Sequence, residues 1–443
     1  MPARAMEGSG LNRPPIAAPV NRIAVGALPV VRSQTEGIED VLTGLVPGLM
    51  AGHRGVTGVA FLAVSADHVS VRKDFGAAQS QTLFDAGSLG DIPIAIALMQ
   101  QMEKGSLLPT QNVAGSTVEA ILTYQTENAP VVLLDEITRI AGQPSSGYLA
   151  QRVFVPLKMS GSVLTGSGFV TSLADMGQLT IALLNGGAAG DARVLEPASV
   201  EALERTQVMP HPAIPGSAYG FAEMRRNGWR ALQHDGKASG IEARLVLVPE
   251  ARLGYFVLVR GTGGAVFWRT FDNTLFDRIF PARDAAMTVP AGVPAPSPEI
   301  AAGAAGAYGA KAGVAFLKTG GVRLDVAARD DASLDLSGAE NAVLLPREGG
   351  YWSTENGALS AVYRNGLLHL SSGTYAPLPP WFRWDMYLLL AFGVAFVAAG
   401  IFTFEGRRAR AVYVPGTLAL AFSALSGALA CVALLFWLFA LAP

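Results

Sequence analysis

The chain has 443 residues, a formal net charge of −2 and a single cysteine, Cys431. Its length exceeds that of one ordinary domain, and its near-neutral charge argues against a nucleic-acid partner. One cysteine excludes a disulfide within the chain and a zinc site built from thiolates. The mean hydropathy of +0.34 is high for a soluble protein, and the C-terminal part of the chain accounts for it.

Residues 1–34 are rich in proline, alanine and glycine, which predicts a leader or a disordered tail. Within them, residues 23–31 form a short apolar run that follows three arginines, as in the hydrophobic part of a signal peptide. Pro29 interrupts that run, and no cleavage site of small residues follows it cleanly. The segment therefore resembles an export signal only incompletely.

A serine precedes the first long apolar helix of the chain. Helical spacing over 38–50 and two strands at 56–64 and 68–74 come before it, and the helix itself is predicted at 89–104. Ser88 stands directly before this helix and Asp91 follows three residues later. That spacing predicts a capping box, in which each side chain accepts a hydrogen bond from the other residue's backbone N–H.

The middle of the domain is helical, and its last part consists of strands. We predict helices at 131–141, 145–151, 171–185 and 197–206, strands at 218–223, 229–234, 243–249 and 253–260, and a helix at about 266–280. Strands at both ends with helices between them predict an α+β domain at 35–283, in which helices flank an antiparallel sheet.

Four short motifs occur in a recognisable order along this domain. They are Phe84–Asp91, Thr126-Glu127-Asn128, Val153–Met159 and His234-Asp235-Gly236. Their order over about residues 38–280 resembles the class C β-lactamase-like and penicillin-binding-protein-like serine hydrolases, which carry Ser-x-x-Lys, Tyr-x-Asn and Lys-Thr-Gly or His-x-Gly motifs. The resemblance implies the class C β-lactamase-like fold, with an antiparallel sheet, flanking helices and a helical lobe.

The chain departs from that family at two catalytic positions. Asp91 occupies the place of the lysine, and Thr126 occupies the place of the tyrosine. A serine hydroxyl is a poor nucleophile without a nearby base, and a carboxylate removes the electrostatic help that an ammonium gives to a developing oxyanion. The segment before Thr126 is also much shorter than in the family, which shortens one wall of the cleft.

The resemblance places Ser88 and His234 at the catalytic positions of a degenerate site, with Asp91, Asn128 and Gly236 at the other motif positions. One alternative is a working dyad in which neutral His234 acts as the general base for Ser88. Asn128 is either a donor into the cleft or an ordinary turn residue, and Gly236 serves the geometry of a strand.

Two further side chains are candidates for supporting roles. Asp235 competes with Asp91 as the carboxylate that would orient His234, and Tyr124 is a less favoured substitute for the missing tyrosine. No cofactor is expected, and the remaining histidines lack the spacing of metal ligands.

Two smaller units are predicted after the α+β domain. Residues 284–300 are rich in proline, alanine and glycine and form a linker. Residues 301–380 contain strand pairs separated by turns such as Asn365-Gly366, which predicts a small antiparallel β module. This module resembles the lipocalin-like appendages that follow several class C-type hydrolase domains.

Two long apolar runs, 386–404 and 411–443, end the chain. Each supplies the roughly 20 residues that span a bilayer as a helix, and neither shows the polar face of a soluble core helix. We therefore predict a two-helix transmembrane hairpin at 381–443, so that the membrane is a partner of the chain.

The connector 405–410 contains three arginines, which favours the cytoplasmic side of the inner membrane for this turn. The large domain is then periplasmic or otherwise extracytoplasmic. The alternative, a domain that stays inside against the charge rule, is left open by the incomplete export signal.

These features together predict a membrane-anchored β-lactamase-like pseudoenzyme. It would bind a peptide, a cell-wall fragment or a partner protein without acyl-enzyme chemistry. Two alternatives remain: an active serine hydrolase, peptidase or acyltransferase that uses Ser88 with His234 as base, and an accessory subunit of a membrane assembly.

Overall fold

The computed structural model describes residues 37–126, 130–165, 168–238, 240–261, 264–283, 292–309, 323–355, 359–371 and 373–378. The predicted leader or tail at 1–34, Asn128 and the predicted hairpin at 381–443 lie outside these residues. In the part of the chain that is described, no helix combines the length and the apolar character needed to cross a bilayer.

The first unit contains fourteen strands and eight helices among its described residues. The strands are β1 (Val56–Ser65), β2 (Val69–Gly76), β3 (Phe84–Asp85), β4 (Asn112–Val113), β5 (Ser116–Thr117), β6 (Val163–Thr165), β7 (Gly168–Thr171), β8 (Ala188–Ala189), β9 (Ala192–Arg193), β10 (Ser217–Ala218), β11 (Phe221–Arg226), β12 (Trp229–Ala238), β13 (Ile241–Val248) and β14 (Leu253–Gly261). The helices are α1 (Ile38–Gly52), α2 (Asp91–Glu103), α3 (Val118–Leu122), α4 (Leu134–Ala141), α5 (Ser145–Leu149), α6 (Leu173–Leu184), α7 (Pro197–Glu204) and α8 (Gly264–Ile279).

Seven of these strands form one antiparallel sheet in the order β10-β11-β12-β13-β14-β1-β2. Strand β1, which lies between β14 and β2, is almost entirely apolar and buried along most of its length. Such burial on both faces requires a layer on each side of the sheet. The predicted α+β class, with an antiparallel sheet flanked by helices, is confirmed.

Helices α1 and α8 cover one face of the sheet, which we call the back face. Ile38, Leu42 and Val46 recur at helical spacing on α1 and are buried there with the phenylalanines of α8. On the other face, the front face, α6 packs on β1 and β14. The helical lobe that contains α2 is continuous with that front core.

Strand β12 is longer than predicted. The sequence suggested a strand that ends at His234, but pairing with β13 continues to Ala238, opposite Ile241. On its other side, β12 pairs with β11 only up to Gln233. Residues 234–238 therefore form an edge of β12 that β11 does not cover, and the predicted motif at 234–236 lies on this edge.

The second unit is a closed antiparallel barrel preceded by a short helix, α9 (Pro298–Ala304). Its strands are β15 (Gly306–Gly309), β16 (Arg323–Ala328), β17 (Leu334–Gly338), β18 (Ala342–Arg347), β19 (Tyr351–Ser353), β20 (Ser360–Arg364), β21 (Leu367–Leu370) and β22 (Gly373–Pro377). The strands follow one another in sequence order around the barrel, and β15 pairs with β22. This is the up-and-down arrangement that lipocalins use.

Candidate functional site

A short 3₁₀ turn, Gly87–Gly90, holds the serine of the first motif. The turn packs against the uncovered edge of β12. Ser88 is exposed to solvent, and its Oγ donates a hydrogen bond of 2.6 Å to the backbone oxygen of Asp235. The turn and the third motif therefore meet, as the family resemblance implies.

Two glycines permit this close approach. A Cβ atom on Gly236 would lie 2.1 Å from the backbone oxygen of Ala86, and a Cβ on Gly87 would lie 2.4 Å from that of Lys237. Gly87 also has a φ of +54°, in the left-handed region that favours glycine. Gly236 thus serves strand and turn packing, in line with its predicted role.

The predicted capping box is wrong. Neither the 3₁₀ turn nor α2 begins with a side-chain cap, because the Ser88 hydroxyl is directed to β12. Asp91 is the first residue of α2 and is buried. Its carboxylate lies beside Tyr124, which follows α3, and His234 of β12.

The cluster in the cleft consists of Asp91 and His234, which are buried, and Tyr124, whose hydroxyl reaches them although the residue is exposed. The Tyr124 hydroxyl lies 3.4 Å from Oδ2 of Asp91 and 3.1 Å from Nδ1 of His234. Nε2 of His234 lies 3.9 Å from Oδ2 of Asp91. Nδ1 of His234 also lies 2.7 Å from the backbone oxygen of Gly220.

The contact with Gly220 determines the tautomer of His234. A carbonyl oxygen only accepts hydrogen bonds, so Nδ1 carries the proton and donates it. In the neutral ring Nε2 is then a bare acceptor. This atom is buried and has no hydrogen-bond partner among the described residues.

Burial shifts the titration of the cluster. It raises the pKa of Asp91 from 3.8 to about 6, an effect that His234 and Tyr124 only partly oppose. Burial, together with the charge of Asp91, raises the pKa of Tyr124 well above its ordinary value. A tyrosine that resists ionisation is a poor general base, whereas Asp91 changes charge close to neutral pH.

The tyrosine position of the cleft is occupied by a residue other than the one that motif spacing predicted. Tyr124, not residue 126, contacts Asp91 and His234, so the prediction that the cleft lacks this hydroxyl is wrong. Tyr124 follows the short helix α3 with a φ of +59°, which is rare for a bulky residue. No sequence motif predicts that backbone reversal. The one feature of the sequence that points to Tyr124 is its position just after the predicted helical segment.

Asp235 does not orient His234. Successive residues of a strand point to opposite faces, and the carboxylate of Asp235 accepts two hydrogen bonds from Arg244, at 2.5 and 2.8 Å. Arg244 also pairs with Asp272 of the back-face helix α8. Of the two carboxylates considered for His234, only Asp91 lies beside it.

Among the described residues, no hydrogen bond connects Ser88 with His234. The one hydrogen bond of the Ser88 hydroxyl goes to the backbone of Asp235. The described part of the chain also contains no group of three histidine, cysteine, aspartate or glutamate side chains that could hold a metal ion. The chemistry of the cleft therefore depends on the serine and on the separate cluster of three titratable residues.

No family model matches the chain, and no curated protein is similar to it. Among solved structures, SurE with D-Leu has a TM-score of 0.51 at 17% identity and covers 77% of this chain and 100% of its own. The octameric penicillin-binding protein homologue from Pyrococcus abyssi has a TM-score of 0.46 at 15% identity, with 76% and 99% covered. The D-amino acid amidase from Ochrobactrum anthropi SV3 has a TM-score of 0.44 at 15% identity, with 56% and 97% covered.

At these identities the comparisons concern the fold alone. The overall fold is similar to that of SurE, whose TM-score is above 0.5. The chemistry of this chain has to be argued from its own cleft.

Proposed function

We propose that this chain is a β-lactamase-like serine hydrolase homologue that binds its ligand at the Ser88 cleft without forming an acyl-enzyme. The observation that supports this proposal most directly is the hydrogen bond of Ser88. Its hydroxyl donates to a backbone carbonyl, which cannot take up the proton. Nucleophilic attack by a serine needs a partner that can.

The groups around the serine add to this argument. Asp91 brings a carboxylate to the position where the family carries an ammonium, and Tyr124 is held in its neutral form by a raised pKa. Negative charge beside a developing oxyanion opposes acyl transfer. The proposed ligands are a peptide, a cell-wall fragment or a partner protein, bound at the cleft beside Ser88.

Covalent labelling tests the proposal. The full chain, purified in mild detergent, is incubated with a fluorescent penicillin and with a fluorescent fluorophosphonate. We expect no labelling of the wild type beyond that of Ser88→Ala. Stoichiometric labelling that disappears in Ser88→Ala would show that the serine is a working nucleophile and would overturn the proposal.

A charge reversal at position 91 tests the reason for the proposed inactivity. Asp91→Lys restores the Ser-x-x-Lys spacing, and the structure supplies Tyr124 beside the new ammonium. We expect this variant to acquire slow fluorophosphonate labelling that Ser88→Ala abolishes. If a folded Asp91→Lys protein stays unlabelled, the carboxylate is not what silences the serine.

A second candidate function is an active serine hydrolase or acyltransferase. The observation that favours it is the contact of Tyr124 with both His234 and Asp91. Tyr124 thereby supplies the tyrosine hydroxyl that motif spacing predicted to be missing. Turnover of p-nitrophenyl butyrate separates the candidates. Hydrolysis that His234→Gln and Ser88→Ala both remove favours this second function, and hydrolysis that survives both variants does not arise at this site.

The location of the protein is part of the proposal. The apolar runs at 386–404 and 411–443 would anchor it in the inner membrane, and the arginines of the connector at 405–410 would place the large domain outside. We expect the full chain to resist extraction by alkaline carbonate and its large domain to be cut by protease added to spheroplasts. Protection of that domain would place it on the cytoplasmic side.

The accessory-subunit alternative has its own experiment. A subunit of a membrane assembly would purify in mild detergent with a stoichiometric partner. A chain that purifies alone as a homogeneous species favours the binding function over this alternative.

A further inference from the structure

The loop between α7 and β10 contacts the barrel of the second unit. Nε2 of His211 lies 2.7 Å from the backbone oxygen of Gly349, in the turn between β18 and β19. Nη1 of Arg364, on β20, donates a hydrogen bond of 3.3 Å to the backbone oxygen of Pro210. Because both contacts cross from the first unit to the barrel, we call residues 209–213 the docking loop.

The docking loop is fixed to the first unit on its other side. Nη1 of Arg225, on β11, donates a hydrogen bond of 2.7 Å to the backbone oxygen of Pro212. Ala213 and Ile214 are buried. A proline on each side of His211 restricts the backbone of the loop. The barrel therefore packs on a restrained part of the first unit.

Both ring nitrogens of His211 make hydrogen bonds, and together they define its protonation state. Nδ1 lies 3.0 Å from the backbone nitrogen of Ala213, whose N–H only donates, so Nδ1 is the acceptor and carries no proton. The carbonyl of Gly349 only accepts, so Nε2 carries the proton. The contact between the two units therefore requires the neutral ring with its proton on Nε2.

A protonated ring does not fit this arrangement. An imidazolium has a proton on each nitrogen, so an N–H group of His211 would face the N–H group of Ala213. Turning the ring to relieve that repulsion would move Nε2 away from Gly349. Protonation therefore breaks a hydrogen bond within the docking loop and weakens the one that joins the loop to the barrel.

The charged and titratable groups around His211 come from both units. Arg225 of β11 and Arg364 of β20 bind the carbonyls of the residues on either side of it, and the ring of Tyr351, on β19, lies 5.8 Å away. Glu348, in the turn between β18 and β19, is exposed to solvent. Two guanidinium groups near the ring oppose a positive charge on it, whereas solvent screens the exposed carboxylate.

We propose that His211 makes the docking of the barrel depend on pH: the neutral ring holds the barrel on the docking loop, and protonation of the ring in acid releases it. Histidine is the side chain that commonly changes charge between pH 5 and pH 8. Domains of one chain move relative to each other unless a large apolar interface holds them, so single hydrogen bonds matter here. This inference concerns the two units and does not depend on the chemistry at Ser88.

Distances between two spin labels test the inference in the full chain, purified in mild detergent. Cys431→Ser removes the native cysteine, and the labels are attached through Glu201→Cys on α7 and Asp330→Cys between β16 and β17, both at exposed positions. We expect a narrow distribution of distances at pH 8 and a broad one at pH 5. Loss of one hydrogen bond should raise the ratio of released to docked barrel roughly 5- to 10-fold. An unchanged or narrower distribution at pH 5 would overturn the inference.

Variants assign the response to one ring. His211→Gln keeps a donor near the place of Nε2 and cannot be protonated, so its distribution should stay narrow at both pH values. His211→Ala lacks both hydrogen bonds and should give a broad distribution at both; a narrow one at pH 8 would show that the ring does not hold the barrel. His68→Gln makes the matched change at an exposed turn between β1 and β2 and should behave as wild type. If His211→Gln broadens at pH 5 as much as wild type does, another group causes the response and the inference is wrong.

Circular dichroism in the far ultraviolet distinguishes release of the barrel from unfolding. Release keeps the helices and strands of both units, so the spectrum should be the same at pH 8 and pH 5 while the distance distribution broadens. Broadening that occurs only together with a loss of the spectrum would be unfolding and would contradict the inference.

Discussion

Two buried aspartates lie on opposite faces of the same sheet and have different surroundings. Asp272, on the back face, pairs with the guanidinium of Arg244, which also binds the carboxylate of Asp235. Asp91, on the front face, has a tyrosine hydroxyl at 3.4 Å and a histidine nitrogen at 3.9 Å. One carboxylate is paired with an arginine, and the other lies beside a tyrosine and a histidine.

The difference separates a structural role from a functional one. Arginine stays protonated at every physiological pH, so Asp235 and Asp272 share one permanent cation that joins α8 to the sheet. In the front-face group Asp91 titrates near pH 6, and Nε2 of His234 has no hydrogen-bond partner among the described residues. Titratable residues with strongly perturbed pKa values in a cleft are candidates for function.

The largest expected effect on the free energy of unfolding comes from breaking the back-face group of Asp235, Arg244 and Asp272. Arg244→Ala leaves Asp272 buried without a cation, and such a loss typically lowers the free energy of unfolding by about 3–5 kcal/mol. Chemical denaturation of the full chain in detergent measures it. Arg329→Ala, which removes an exposed ion pair of the barrel with Asp335, is the control and should be indistinguishable from wild type. A small effect of Arg244→Ala would mean that the back-face network does not stabilise the fold.

A smaller effect on the free energy of unfolding is expected at Asp91 on the front face, and this effect depends on pH. The pKa of Asp91 is raised from 3.8 to about 6, so the folded state holds this proton more tightly than the unfolded state does. Its protonated form contributes stability below pH 4, and that contribution is lost as the pH rises through about 6. The loss amounts to about 2–3 kcal/mol at pH 8, by the linkage between pKa shifts and stability.

Asp91→Asn removes this titration. We expect the variant to gain stability relative to wild type when both are unfolded at pH 8 and to lose most of that advantage at pH 4.5. Other buried acids titrate equally in the two proteins and cancel in the difference. A difference that does not change with pH would show that Asp91 is not the source.

The smallest effect is expected at Tyr124. Tyr124→Phe removes a long hydrogen bond to Asp91 and a contact to His234, which is worth about 1 kcal/mol of unfolding free energy or less. Tyrosine and phenylalanine tolerate the left-handed backbone at position 124 equally, so the substitution adds no strain. Nitrogen NMR of the labelled histidine side chain should still show the proton on Nδ1 of His234, because the Gly220 carbonyl holds it. A change of tautomer would show that Tyr124, not Gly220, determines it.

Most of the first unit could be predicted from hydrophobic periodicity. Helix α6 was predicted at 171–185 and occupies Leu173–Leu184, and β14 was predicted at 253–260 and occupies Leu253–Gly261. The deviations have local causes. The strand predicted at 218–223 divides into β10 and β11 because Gly220 turns the chain with a φ of +74°.

The candidate site was predictable only in part. Ser88, Asp91 and His234 follow from motif order, and the approach of the Ser88 turn to β12 follows from the fold that those motifs imply. The separation of His234 from Asp235 follows from strand alternation, but only once β12 is known to continue beyond His234. That extension depends on pairing with β13, which local sequence does not specify.

By itself the sequence determined the order of elements, the serine before α2 and the carboxylate in place of a lysine, because periodicity and residue type are local properties. Only the tertiary structure decided that Tyr124 contacts Asp91 and His234, that Asp91 lies beside His234 and that Asp235 belongs to the back face. Each of these depends on contacts between residues far apart in the chain and on one backbone reversal at Tyr124. The free energy of such contacts arises from burial and charge in three dimensions, which no single segment of sequence encodes.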